Sequence, residues 1–485
     1  MIDVMQQVKH ETGAKVYLFC FGPQETDFYN ARNESGLFER VIDAEVLLSS
    51  SRQTGLDEKS VVERASKIES TLPRNYNSVV MSNRHLGRGY SQGGFYHPRS
   101  RYSVETDYLK VLHAYSETFE FWENQFTDLE VDLVVNGTVE AAVIAKKLGI
   151  AFRTIASSRY KNLHYWAANE FYEDARLAPA FEAAQAIESD VSSDIDVEPY
   201  FAHMVNRAGF VEKGSSLTAM LQNIVLQVAR HAYWRLRRYE KARSYYLSSE
   251  IAYYYRVWSH FRRLQRMSAP LESLKGKQFV FFPLHLEPEI ALQGLSPEYF
   301  FQLTTIAAIS RDLPAGVYLA VKETYAGVGR RPDNFYDQIK ELKNVVLLDT
   351  LEFGVDIVRQ AAAVVTINGT AGLEAALEGK PAIVFGLHNN YACLPHVHVA
   401  SDIHDLRPLL RHCLGERNNT QQFQTAARRY LEVVIDHSFD LRGYDFRRME
   451  AFEASVPKDA STALLESLTS AASPPSVKAT LSGAP

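Results

Sequence analysis

The sequence predicts an α/β protein in which two Rossmann-like domains are joined by a helical insert. Three observations carry this. Short apolar runs alternate with helix-period segments before about residue 175 and again after about residue 270. In the most patterned stretch, Ala361–Gly386, an apolar run stops at Asn-Gly-Thr, a helix-like segment follows, and Gly-Lys-Pro leads into a second apolar run. The chain has 485 residues, 46% hydrophobic and 23% charged, which suits two soluble domains with large cores.

In the first half, KVYLFCFG (Lys15–Gly22) reads as a buried strand closed by a glycine turn. Residues 56–73 have helical spacing. The stretch Asn77–Arg99 is a loop rich in glycine, arginine, histidine and aromatics. A long helix pattern follows from about Val104 to Phe126. VDLVVNG (Val131–Gly137) is a strand with its turn, TVEAAVIAKKLGI a helix, and FRTIASSRY (Phe152–Tyr160) the next strand and its end. The alternation predicts a parallel sheet with right-handed crossovers, so residues 1–175 form the first Rossmann-like domain.

Residues 176–270 read as mostly helical. Within them, Ala229–Met267 holds ten Lys/Arg against two Glu, with many Tyr. Two readings stand: a connecting helix pair with a solvated basic face, or an amphipathic surface for anionic lipid or an acidic polymer.

The second α/β pattern opens at KQFVFFPLH (Lys277–His285). The helix SPEYFFQLTTIAAISRDL takes Ser296 as N-cap and Pro297 as its first residue. Strands VYLAVKET (Val317–Thr324), NVVLLD (Asn344–Asp349), AVVTING and PAIVFG alternate with helices NFYDQIKEL, FGVDIVRQA and TAGLEAALEG. Residues 271–454 thus form a second Rossmann-like domain. Residues 455–485, rich in Ser, Ala and Pro, are expected to be a disordered tail.

Composition removes several classes. A formal net charge of -6 argues against a general nucleic-acid binder. Cys20, Cys393 and Cys413 are odd in number and far apart, so they support neither a disulfide framework nor a zinc site. The N-terminal residues lack the order of a signal peptide, and no run reaches the roughly 18 apolar residues of a membrane span. The expectation is a cytoplasmic protein, peripheral on the inner face of the cell membrane through residues 229–267.

In open parallel sheets ligands bind beyond the carboxyl ends of the strands. In the second half those ends carry His285, Glu287 and Glu289, then Lys322, then Asn368, Gly369 and Thr370. HLEPE places one imidazole and two carboxylates within five residues, groups that serve as acid, base or nucleophile; extended spacing would set them on one side. It lacks the helical spacing of a zinc motif, so no metal is expected. The Asn368-Gly369-Thr370 corner opens a helix whose free N–H groups suit an anion. Glu374 follows in the first helical turn, where it suits a ribose diol; the alternative is a helix merely capped by Thr370. Lys322, with Arg330 and Arg331 nearby, suits phosphate or carboxylate charge. In the first half, Arg84 and Arg88 mark a candidate acceptor-side lid.

Taken in order, FFPLHLEPE, then LPAGVYLAVKET with RRP, then VVTINGTAGLEAALEGKPAIVFG resembles the bacterial capsule and surface-polysaccharide biosynthesis proteins. These are GT-B-like glycosyltransferases, among which the β-Kdo transferases use CMP-activated donors. The resemblance spans about 275–391. It implies a nucleotide-sugar site at Asn368, Gly369, Thr370 and Glu374 in the C-terminal domain, with His285, Glu287 and Glu289 near the reacting sugar and the acceptor on the N-terminal side. Relatives carry a Lys-x-His-Pro-type motif where this chain has Lys322-Glu323-Thr324-Tyr325, so no histidine role is carried over there.

The function expected is transfer of a sugar from a nucleotide-sugar donor, CMP-linked ones included, to a growing capsular or surface polysaccharide or lipopolysaccharide, with no cofactor. Alternatives are a UDP-sugar 2-epimerase-like enzyme and a non-catalytic polysaccharide assembly or export protein.

Overall fold

A computed structural model describes residues 1–83, 86, 96–98, 106–160, 163–186, 197, 206–239, 245–287, 289–415, 419–441 and 455–469. Arg84 and Arg88, expected on the acceptor side, lie outside the described residues.

The chain begins with α1 (Ile2–Thr12) and the parallel pair β1 (Val16–Cys20) and β2 (Phe38–Asp43). Helix α2 (Tyr108–Asp128) is capped by the Asp107 carboxylate, which accepts from the Lys110 N–H, and it buries Phe119, Trp122 and Phe126. Strand β3 (Leu133–Val135) leads into α3 (Val139–Leu148), capped by Thr138. Next, β4 (Ala151–Ser157) runs parallel to β3 but antiparallel to β5 (Leu163–Ala167). The single parallel sheet expected for residues 1–175 is therefore not observed. The link from Ser157 to Leu163 is too short for a crossover, so it makes a hairpin.

The expected insert divides. Helix α4 (Leu177–Ala186) joins the C-terminal core, where the Phe181 ring meets Tyr430 edge-on at 6.0 Å. Helices α5 (Leu217–Leu236) and α6 (Leu247–Met267) pack on one another. Two of the arginines of α6 turn inward: Arg256 pairs with Asp333 at 3.0 Å and donates to the Gly329 and Arg331 carbonyls, and Arg263 pairs with Asp337. Two of the ten cations of the basic face expected over 229–267 are thus engaged within the molecule.

The second half is built on β6 (Gln278–Pro283), α7 (Gln302–Asp312), β7 (Val317–Lys322), β8 (Val345–Leu348), β9 (Ala363–Thr366), α8 (Thr370–Leu377), β10 (Ala382–Val384) and β11 (Val397–Val399). These strands form one six-stranded parallel sheet in the order β11-β10-β9-β6-β7-β8. Both faces are covered, so β9 and β10 are buried along their whole length and read as unbroken apolar runs. The helix expected at Ser296 starts late. Pro297–Tyr299 is a 3-10 turn and α7 begins at Gln302, because the Ser296 hydroxyl is not used as a cap but accepts from Asn368 Nδ2.

Helix α9 (Thr420–Asp436) covers the sheet, and β12 (Phe439–Asp440) crosses back to pair with β5. The order β12-β5-β4-β3 results, so residues 271–454 do not stay within one sheet. Part of the expected disordered tail is ordered: Ser455–Thr469 form α10. Ala460 and Leu464 bury against Val4 and Val8 of α1, and Trp166 Nε1 donates to the Ala460 carbonyl at 2.9 Å. An apolar face that meets α1 offsets the polar composition.

Candidate active site

Within the six-stranded sheet, β6 and β9 are neighbours, and the chain runs outward from them in opposite directions. This is the topological switch point, beyond whose carboxyl ends a crevice must open. His285 leaves β6 there and Asn368-Gly369-Thr370 leaves β9. They meet: Asn368 N–H donates to His285 Nε2 at 3.3 Å, and Thr366 Oγ1 lies 3.3 Å from the same nitrogen. The nitrogen that accepts must be unprotonated, so the ring is neutral with its proton on Nδ1. Burial, with Arg331 and Arg159 nearby, pushes His285 down to about 3.

Beneath this corner lies a buried ionic scaffold. Arg331 is 1% exposed; its Nε donates to Glu323 Oε2 at 2.7 Å, Nη1 to Glu287 Oε1 at 2.9 Å, and Nη2 to the His285 carbonyl at 2.5 Å. Tyr336 OH donates to Glu323 at 2.8 Å. Gln302 takes the His285 N–H at 2.7 Å, donates to the His285 carbonyl at 3.1 Å and also donates to Glu287. The two carboxylates hold the Arg331 guanidinium above its ordinary pKa against the cost of burial. Glu287 therefore faces inward to Arg331, while Glu289 faces the cleft. The HLEPE acids do not share one side, because Arg331 draws the first of them into the interior.

The cleft itself holds a cavity of about 440 Å³ lined by His285, Glu289, Lys322, Asn368, Gly369, Thr370 and Glu374, with Arg159 reaching in from the N-terminal half. The structure thus gathers every donor-side residue picked from sequence, plus His285 and Glu289. Lys322 is 9% exposed, its Nζ 4.8 Å from the Tyr325 ring centre; burial lowers it to about 8, opposed by Glu323, Asp349, Glu352 and Glu374. Burial raises Glu374 to about 7, opposed by the Thr370 hydroxyl, Arg159 and Lys322. Thr370 is not the cap: that position is Gly369, which has no side chain to offer. A base and an acid with converging pKa values in one cavity are a signature of functional sites.

A second cavity of about 320 Å³ adjoins the first, sharing Arg159, Glu289 and Asn368, and is lined by Tyr165, Phe171, Tyr172 and Tyr391. The halves are tied across it. His388 Nδ1 lies 2.7 Å from Glu173 and its ring stacks on Phe171 at 4.0 Å, while Asn390 Nδ2 donates to Tyr165 OH at 2.7 Å.

Sequence reasoning missed Arg159, Ser296 and Gln302 as site residues, while Asn389 falls where the strand-end rule puts it, past the end of β10. Asn389 donates to Asn368 Oδ1 at 2.7 Å and, with Ser296, fixes that amide. Arg159 stands just past the carboxyl end of β4 in left-handed backbone (φ 64°), a position that the strand-end rule would have found in the first half as it did in the second. Among the described residues no group of three His, Cys, Asp or Glu is placed to hold a metal ion.

Residues 206–393 match the model of the capsule polysaccharide biosynthesis protein family. No curated protein matches the chain significantly. Similar solved structures include the β-Kdo 2,7 transferase of Thermosulfurimonas dismutans KpsC, at 15% identity over 72% of this chain and 89% of that one, with a TM-score of 0.35. The β-Kdo 2,4 transferase of the same protein is 12% identical over 61% and 78%, with a TM-score of 0.29. The putative UDP-N-acetylglucosamine 2-epimerase from Listeria monocytogenes is 9% identical over 98% and 94%, with a TM-score of 0.26. The family match covers β6 to β10 and every donor-side residue of the cleft, so the part of the chain that resembles the capsule polysaccharide biosynthesis proteins is the part that builds this site.

Proposed function

We propose that this chain is a glycosyltransferase that moves a sugar from a nucleotide-sugar donor, CMP-linked donors included, to a growing capsular or surface glycan. The observation that carries the reading is the cavity at the β6/β9 switch point, where Lys322, the N-terminus of α8 and Glu374 converge and Arg159 closes from the other half. Donor phosphate suits Lys322, Arg159 and the free N–H groups at Thr370, which together stabilise the departing nucleotide charge. The Glu374 carboxyl suits the ribose diol. The adjoining aromatic cavity suits acceptor sugar rings.

In the transfer, an acceptor hydroxyl oxygen bonds to the anomeric carbon as the bond from that carbon to phosphate breaks, and the nucleotide leaves with the electron pair. Glu289 is our candidate to take the hydroxyl proton, or to act as nucleophile if configuration is retained. His285 and Glu287 are assigned to positioning: one holds the Asn368 backbone, the other Arg331.

The test is a thermal-shift screen of CMP, CDP, UDP and GDP. A ligand that binds only the folded state adds about 2.7 kcal/mol at a hundred times its Kd. One base is expected to stabilise the wild type, and Glu374→Ala to abolish that shift. Stabilisation by none of the four, or a shift untouched in Glu374→Ala, overturns the reading. Epimer formed from donor alone would favour the epimerase instead.

A further inference from the structure

Helix α5 (Leu217–Leu236) contains no acidic residue in its twenty positions. Its inner face packs on α6: Met220 is buried, Gln227 Nε2 donates to Tyr254 OH at 3.1 Å, and the Trp234 ring meets Tyr245 at 5.8 Å. Helix α6 is in turn tied to the C-terminal half through Arg256 and Arg263. The outer face of α5 is therefore held rigidly outward. Along it Leu217, Leu221, Val225, Val228 and Leu236 recur at three, four or eight residues and form one exposed stripe, with Val225 67% and Leu236 84% exposed. Phe210, 79% exposed, extends it on the preceding helix. Arg230, Arg235, Arg237 and Arg238 are exposed along its flanks and end.

An apolar stripe bordered by arginines, on a helix without carboxylates, matches a helix that lies in the plane of a membrane surface. No described helix is long and apolar enough to cross one. A second copy of the chain suits this face less. A two-fold contact would set the patch against itself, bringing the same arginines together. The complement must be acidic and must accept apolar side chains at the same depth. We propose that α5 docks the protein on a bilayer surface rich in anionic lipid, with the stripe at the headgroup–acyl boundary and the arginines on lipid phosphates. This shifts the contact expected over 229–267 onto α5, because α6 faces inward.

The experiment is flotation of the full chain with vesicles of phosphatidylcholine alone or of equal phosphatidylcholine and phosphatidylglycerol. It needs no donor, so its outcome is separate from that of the glycosyltransferase reading. The wild type is expected to float with the anionic vesicles only. Leu221→Asp with Val225→Asp should abolish flotation with the melting temperature unchanged, since both sites are exposed. Arg235→Gln, Arg237→Gln and Arg238→Gln together should weaken it by about a hundredfold, at about fivefold each. Failure to float, equal flotation with neutral vesicles, or flotation insensitive to both sets of substitutions overturns the proposal. So does a wild-type dimer by light scattering that the Leu221→Asp and Val225→Asp pair splits, which would assign the stripe to a second copy.

Discussion

Replacing Glu374 by glutamine should stabilise the protein, and increasingly so as pH rises. Burial raises the folded-state carboxyl to about 7 from an ordinary value of 4.5. Between those values the folded protein binds more protons than the unfolded chain, so stability falls as pH rises through them and stays lowered above. The penalty is about 3 kcal/mol at pH 8 and under about 1 kcal/mol at pH 5, a difference of about 2.5 kcal/mol. Glutamine keeps the shape without the charge, so its advantage should grow by that amount. Lys322 has the opposite sign: its folded value is lowered to about 8, and its contribution rises with pH only from there to 10.5, so readings up to pH 8 isolate Glu374. The assay is the melting-temperature difference between variant and wild type from pH 5 to pH 8. For a unit the size of the C-terminal half, 2.5 kcal/mol corresponds to a widening of roughly 5–10 °C. A difference that stays flat with pH, or a variant less stable at pH 8, would refute the buried, near-neutral carboxyl. The variant should also lose the nucleotide shift, so a gain in stability would accompany a loss of binding.

Two further outcomes follow from the packing around the corner. Arg331→Leu leaves Glu323 and Glu287 buried without their cation, and should cost about 3–5 kcal/mol by urea denaturation; adding Glu287→Gln and Glu323→Gln should recover most of it. In Gly386→Ala the new Cβ would stand 1.8 Å from Asn368 Oδ1, and that amide, fixed by Ser296 and Asn389, must leave its place. Nucleotide affinity by titration calorimetry should fall about tenfold, the worth of one good hydrogen bond, with far-ultraviolet circular dichroism unchanged.

The C-terminal sheet was legible because strands buried on both faces must be apolar throughout, and FVFF, AVVT and AIV announce themselves. Strand β5 (LHYWA) and the two-residue β12 were not, since their pairing joins Leu163 to Asp440 and nothing local records a partner nearly three hundred residues away. Helix α10 was hidden for the same reason: its apolar face is short, and its partners, α1 and the Trp166 and Phe439 rings, lie far off in sequence or beyond its own pattern. At the site, the strand-end rule gathered Lys322, Asn368, Gly369, Thr370 and Glu374, because topology alone fixes which termini share an edge. It could not rank the HLEPE acids. That depended on Arg331, placed by a loop held at Gly329, whose φ of 85° and close approach to Val257 exclude a side chain.

A buried ion network is seldom the most stable way to fill a core, since apolar residues of similar volume often do as well or better. The Arg331 network is better explained by what it fixes. Its guanidinium and Gln302 hold the His285 backbone, the His285 ring holds the Asn368 N–H, and the Asn368 side chain holds Ser296 and Asn389. The ends of β6, β9 and β10 are thereby locked into one unit that a ligand cannot cheaply rearrange. Lys322 and Glu374 stand outside that lock, with ionisation that burial has drawn close to neutral pH. An anion arriving at the corner would favour the charged lysine and the protonated glutamic acid, so binding would be answered by proton uptake before any backbone motion. That response follows from a rigid frame carrying two poised groups, and it makes calorimetry in buffers of different ionisation enthalpy the sharpest probe of the site.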